Sequence, residues 1–209
     1  MICRTKHNFF IYNFFKLYAI WKIKRNFQDV FINGEFADRT LPVLLISNHI
    51  SWWDGFWAEY LNLKKIHRKF FFMMLEEQLM KNKFLNSTGG FSIKKKSRNI
   101  IETLDYAAGL LEDNKNLVLI FPQGEIQSLY NNVIRFDKGL EYILKKISSE
   151  VHIIFMVSLI DYFSNQKPGL YMYFKEFHDG NLTIYNIEKE YGIFYSQCRD
   201  QNIGINKSL

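Results

Sequence analysis

The segment Ile46-Ser-Asn-His-Ile-Ser-Trp-Trp-Asp54 carries the most informative chemistry in the chain. It follows Pro42 to Ser47 (PVLLIS), which reads as a buried strand. His49 and Asp54 stand in an H-x-x-x-x-D spacing where a strand end turns into a helix. An imidazole so placed can take a proton from a hydroxyl, while a carboxylate fixes its tautomer and supports the imidazolium. No serine or cysteine nucleophile is needed if the acceptor supplies the attacking oxygen. Structural readings stand beside this one. Ser51-Trp-Trp-Asp54 fits the S-x-x-D capping box, and His49 fits a loop histidine bonded to backbone.

The segment does not stand by itself. Asn48, His49 and Asp54 match the N-H-x-x-x-x-D block of the glycerolipid (lysophospholipid) acyltransferase family, which this sequence resembles. Gly89-Gly-Phe-Ser-Ile-Lys-Lys95 resembles the family's second block, with Lys95 in place of its arginine. Phe121-Pro-Gln-Gly-Glu-Ile-Gln-Ser128 resembles the third, F-P-E-G-T-R-S, with Gln123 for its glutamate and Ile126 at its arginine. Val151 to Val157 corresponds to the fourth, a hydrophobic strand, without its prolines. The blocks fall in order over about residues 40 to 160.

The resemblance implies transfer of an acyl group from an acyl thioester, on coenzyme A or acyl carrier protein, to a hydroxyl acceptor. No resident cofactor or metal is implied. His49 would be the general base and Asp54 its orienting partner. Lys95, Phe121, Pro122, Gln123, Gly124 and Glu125 would line the acceptor site. An arginine offers phosphate a two-pronged fork and a lysine only a point charge. The less cationic site therefore points away from lysophosphatidic acid, towards a lyso-lipid, aminolipid or glycolipid hydroxyl, or an amine. A non-catalytic lipid-binding protein on the same fold is the alternative. Trp52, Trp53 and Trp57 either border an acyl-chain slot or pack in the core.

The elements that must position these groups alternate between strands and helices. Strand candidates are residues 42–47, 69–74, 91–93, 117–121, 151–160 and 170–174. Helical spacing covers residues 53–63, 78–84, 99–113 and 136–147. The expectation is an α/β fold, a mixed and largely parallel sheet flanked by helices, in a single domain over residues 1–209. Ahead of it, residues 8–25 place Phe10, Phe14, Leu17 and Trp21 on one helical face, with Lys16, Lys22, Lys24 and Arg25 nearby. That face either lies in a lipid headgroup layer or docks on the protein's own core. The expected membrane-seating element spans residues 1–29.

Apolar residues make up 48% of the 209, which excludes a disordered chain. The net charge of +6 and an aromatic fraction of 17% suit either a membrane surface or a nucleic-acid groove. No RNP-like aromatic motif or recognition-helix pattern is present, so no nucleic-acid partner is expected. Lys94-Lys-Lys96 and Arg98 read by default as a solvated basic turn, and the acyltransferase resemblance turns one of these lysines towards the acceptor. His67 and His152 lack partners at metal-ligand spacing and read as structural. Cys3 and Cys198 form no C-x-x-C pair, which fits a reducing compartment. No apolar run reaches spanning length, so the chain is expected to lie peripherally on the cytoplasmic face of a membrane.

Overall fold

The apolar runs of the sequence become the middle of one seven-stranded sheet. The computed structural model describes residues 2–94, 100–178 and 182–205. The strands are β1 (Val30–Asn33), β2 (Val43–Ser47), β3 (Lys69–Leu75), β4 (Gly90–Ile93), β5 (Asn116–Ile120), β6 (His152–Asp161) and β7 (Gly169–Glu176), in the order β1-β7-β6-β2-β5-β3-β4. All neighbours run parallel except β6 and β7, which pair antiparallel from Ile154↔Glu176 to Asp161↔Gly169. The α/β expectation holds. β2 lies between β5 and β6 and every one of its residues is buried. Both faces of such a strand are covered, so it reads as a continuous apolar run rather than an alternation.

Helices α1 (Phe9–Asn26) and α2 (Asp54–Leu61) cover one face of the sheet. Val43, Leu45, Leu117, Leu119, Ile154 and Met156 meet them. Helices α4 (Ile100–Leu110), α5 (Lys138–Lys146) and α6 (Ile184–Ile205) cover the other, against Leu44, Ile46, Val118, Ile120, Ile153 and Phe155. The period-two split of each strand between two helical layers is what the core consists of. A short helix α3 (Glu76–Lys81) and a 3-10 turn at Lys83–Thr88 join β3 to β4. Gly89, at φ +114°, permits that junction: a Cβ there would lie 2.0 Å from the Phe70 carbonyl oxygen.

α1 docks by a face other than the one the sequence spacing picks out. Its inward residues are Tyr12, Phe15, Ala19 and Ile23. The face picked out by sequence spacing, Phe10, Phe14, Leu17 and Trp21, points outward and is 49–80% exposed. The helix is apolar on two sides, so its apolar stripe alone does not tell which side docks. Asn8 caps it, its Oδ1 accepting from the Phe10 and Ile11 N–H groups, and Lys24 and Arg25 complement the dipole of its last turn. No helix of the described residues is long and apolar enough to cross a membrane.

Candidate active site

β2 and β5 are adjacent and parallel, with Ile46 beside Ile120. The chain leaves β2 for α2 on one face and leaves β5 for α5 on the other. Such a switch point, beyond the carboxyl ends of the two strands, is where a sheet of this kind is expected to form its ligand crevice. The His49–Asp54 loop forms one wall and the loop from Phe121 forms the other.

Asp54 opens α2 and is almost fully buried. Its Oδ2 lies 2.7 Å from His49 Nδ1 and accepts the N–H groups of Ile50 at 2.7 Å and Ser51 at 2.8 Å. Three donors on one oxygen suit the carboxylate form. Burial nevertheless pushes the Asp54 carboxyl above its ordinary range, opposed by the His49 ring and the two N–H groups. The capping box is half realised. Asp54 bonds the Ser51 N–H as the box requires, but Ser51 Oγ accepts from Trp53 N–H at 3.2 Å instead of reaching Asp54 N–H. One carboxylate thus shapes the turn and holds the imidazole.

With Nδ1 facing a carboxylate, the proton resides on Nδ1 and the lone pair on Nε2. Nε2 has no hydrogen-bond partner among the described residues, and the side chain is 23% exposed. The ring stacks on Phe121, centroids 4.1 Å apart and planes within 10°. Asn48 ties the loop to β6: its Nδ2 donates to the Ser158 carbonyl and its Oδ1 accepts the Ser158 N–H, each at 2.9 Å.

The second wall turns at Gly124, φ +67°, whose N–H donates to the Phe121 carbonyl at 3.1 Å. Gln123, buried, accepts the His49 N–H on Oε1 at 2.6 Å. Gln127, which sequence reasoning did not single out, donates its N–H to the His49 carbonyl at 2.9 Å. Asp137 N–H closes the loop on the Pro122 carbonyl at 2.7 Å.

α6 braces this loop. Tyr195 Oη donates to the Asn131 carbonyl at 3.1 Å, and Tyr191 Oη donates to the Met156 carbonyl at 2.9 Å. No strand or helix was expected over residues 184–205. The signal was the apolar spacing of Ile187, Tyr191, Phe194, Tyr195 and Cys198, broken up by charged residues.

A family known as Acyltransferase matches residues 29–158. The chain belongs to the glycerolipid acyltransferase family. The match covers β1 through Ser158, which takes in both walls of the crevice and leaves out α1, β7 and α6. No curated protein matches the chain.

In this acyltransferase the other expected site residues scatter. Phe121 and Gly124 are half-buried and Pro122 and Gln123 buried, while Glu125 and Ile126 face solvent. Lys95, with Lys96 and Arg98, lies outside the described residues. Lys94 is exposed, 3.8 Å from Glu76 Oε2. Trp57 is wholly buried and packs on Phe27. Trp53 packs edge-on against Phe27 and Trp52 is 67% exposed. Among the described residues no three His, Cys, Asp or Glu side chains converge to hold a metal.

Proposed function

We propose that this acyltransferase moves a fatty acyl group from a thioester of coenzyme A or acyl carrier protein to the hydroxyl of a lipid acceptor. The acceptor class is a lyso-lipid, aminolipid or glycolipid. The observation that carries the reading is the His49–Asp54 pair, with Nδ1 tied to a buried carboxylate and Nε2 left without a hydrogen-bond partner among the described residues. Nε2 takes the acceptor hydroxyl proton as its oxygen attacks the thioester carbonyl. The tetrahedral adduct collapses, the carbon–sulfur bond breaks, and the thiolate leaves with the proton returned from the imidazolium. Asp54 supports that imidazolium throughout.

The reaction takes place at a membrane surface, with the protein seated peripherally on its cytoplasmic face. Support comes from the outward side of α1, where Phe10, Phe14, Leu17 and Trp21 stand exposed. The helix holds no acidic residue, while Lys16, Lys22, Lys24 and Arg25 supply charge for anionic lipid. A run of ring contacts, passing through buried Phe56, links the helix to the site. Tyr18 meets Phe56 at 6.3 Å, and Phe56 meets Trp52 at 5.0 Å, three residues from His49.

Incubation with acyl-CoA and mixed lyso-lipids, following thiol release and acylated product, tests the chemistry. His49→Ala is expected to abolish both. Equal release by the variant would leave a non-catalytic lipid binder on this fold. For the membrane, removing residues 1–27 would also strip the inner face of α1 from the core. The discriminating variant therefore carries Phe10→Gln, Phe14→Gln, Leu17→Gln and Trp21→Gln together. It should keep its melting temperature and lose partition to anionic liposomes; unchanged partition would overturn the seating.

A further inference from the structure

The third motif of this chain departs from F-P-E-G-T-R-S, and two of the departures, Gln123 and Gln127, meet at the backbone of His49. Gln123 Oε1 accepts the His49 N–H at 2.6 Å, and Gln127 N–H donates to the His49 carbonyl at 2.9 Å. The two side chains close on each other, Gln123 Nε2 donating to Gln127 Oε1 at 2.9 Å. The ring of bonds grips both main-chain groups of His49.

We propose that Gln123 and Gln127 form a two-amide clamp that sets the position of His49, making both positioning residues for the base. The assignment rests on His49 acting as that base. It withdraws Gln123 from acceptor binding. Its amide is buried, and both of its ends are engaged within the protein. Phe121 fixes the tilt of the ring by stacking, Asp54 fixes its tautomer, and the clamp fixes where the residue sits along the crevice.

An amide at 123 accepts and donates at once, which a carboxylate cannot do. The clamp nevertheless survives either single change to glutamate. With Gln123→Glu, the carboxylate still accepts the His49 N–H and the Gln127 amide turns over to donate to it. With Gln127→Glu, the carboxylate accepts from Gln123 Nε2. With both changes, two carboxylates face each other and repel until one binds a proton.

The test measures kcat and KM for donor and acceptor in the full chain across pH, together with the nuclear magnetic resonance signals of the His49 ring. Each single glutamate variant keeps the bonds of the clamp and should lose less kcat than the double variant. The double variant should lose about 10- to 100-fold in kcat, as expected of a misplaced base, with little change in KM. Relative to the parent, that loss should shrink as pH is lowered, and the His49 signals should return towards the parental ones. Gln123→Leu should lose kcat at every pH. Multiplicative single effects with no recovery on acidification would overturn the clamp. So would a Gln123→Leu variant that raises acceptor KM at unchanged kcat, since Gln123 would then bind acceptor. If His49→Ala turns over as fast as the parent, the base assignment fails, and the ring signals of the glutamine variants still decide the clamp.

Discussion

His49 with Asp54 stands beyond the carboxyl end of β2, and His152 with Glu176 stands at the opposite end of the same sheet, His152 beside Val43. Both are histidine–carboxylate pairs, at 2.7 and 3.1 Å. In the first, the carboxylate is buried and bonded to backbone, and the ring keeps one nitrogen open. In the second, the ring is the entombed partner, 2% exposed and stacked on Phe36. Glu176 is shared among His152, Arg39, His178 and the Ala37 N–H. Burial pushes its carboxyl up, but Ala37, His152 and Arg39 outweigh that and hold it below the ordinary range. Burial lowers His152 despite the carboxylate. A histidine beside a carboxylate is therefore no site by itself. What separates a base from a strut is which partner is buried and where the second nitrogen points.

Exchanging the two histidines for inert residues should break the comparison most sharply. His49→Ala should cut turnover by about 10²- to 10⁴-fold, the range for loss of a general base, and barely change the melting temperature. His152→Gln should leave turnover within about twofold and cost about 1–3 kcal/mol of stability by losing the ring's stack on Phe36 and its pairing with Glu176. The carboxylates follow suit. Asp54→Asn keeps an acceptor for the turn but deprives the imidazolium of its counter-charge, and should cost about 10²-fold or more in turnover. Glu176→Gln should cost stability only. Equal turnover losses at the two ends would erase the distinction.

Much of this was legible in the chain, and the reasons for the gaps are physical. β2, β5 and β6 announce themselves because strands buried on both faces have no polar alternation to blur them. The His49–Asp54 pair is local, five residues apart, and needs only a strand end followed by a helix start. The clamp is not legible, because it joins His49 to residues 74 and 78 positions away, and a glutamine carries no chemical signature. β1 is four residues with alternating exposure, too short to stand out. α6 hides its stripe among charges, although Tyr191 and Tyr195 are among the largest fully buried side chains. α1 offers two apolar faces, and only the fold shows which one is used.

Acidification separates the two ends by sign. His152 is held below its usual 6.5, and His7, bonded to the Phe70 carbonyl, is lowered to about 4 by burial. The folded chain resists protonating them while the unfolded chain does not. Their stabilisation is complete above about pH 6.5 and is lost as pH falls towards the folded values. Asp54 runs oppositely: its raised folded pKa favours folding at low pH and costs stability as pH rises through it. Glu59, buried and pushed up to about 7, opposes the histidines over the same range. His152→Gln should therefore shift the change in stability between about pH 7 and about pH 5 towards stabilisation on acidification, by at most ~1.4 kcal/mol per pH unit. An identical slope in His152→Gln would show that the buried histidine is not what titrates.

The smallest effect concerns the two duties of Asp54. Ser51→Ala removes the Oγ acceptor of the Trp53 N–H but leaves the backbone N–H of Ser51 free to bond Asp54 Oδ2. The turn then loses one of its bonds and the His49 pair loses none. Stability should fall by about 0.5–1 kcal/mol, the low end for a helix-start hydroxyl, and turnover should stay within about twofold. Set beside Asp54→Asn, this isolates the catalytic share of the carboxylate. If the two variants lose stability and turnover alike, Asp54 is a cap and His49 is no better placed than His152. If only Asp54→Asn loses turnover, the same oxygen that shapes the turn also makes the base.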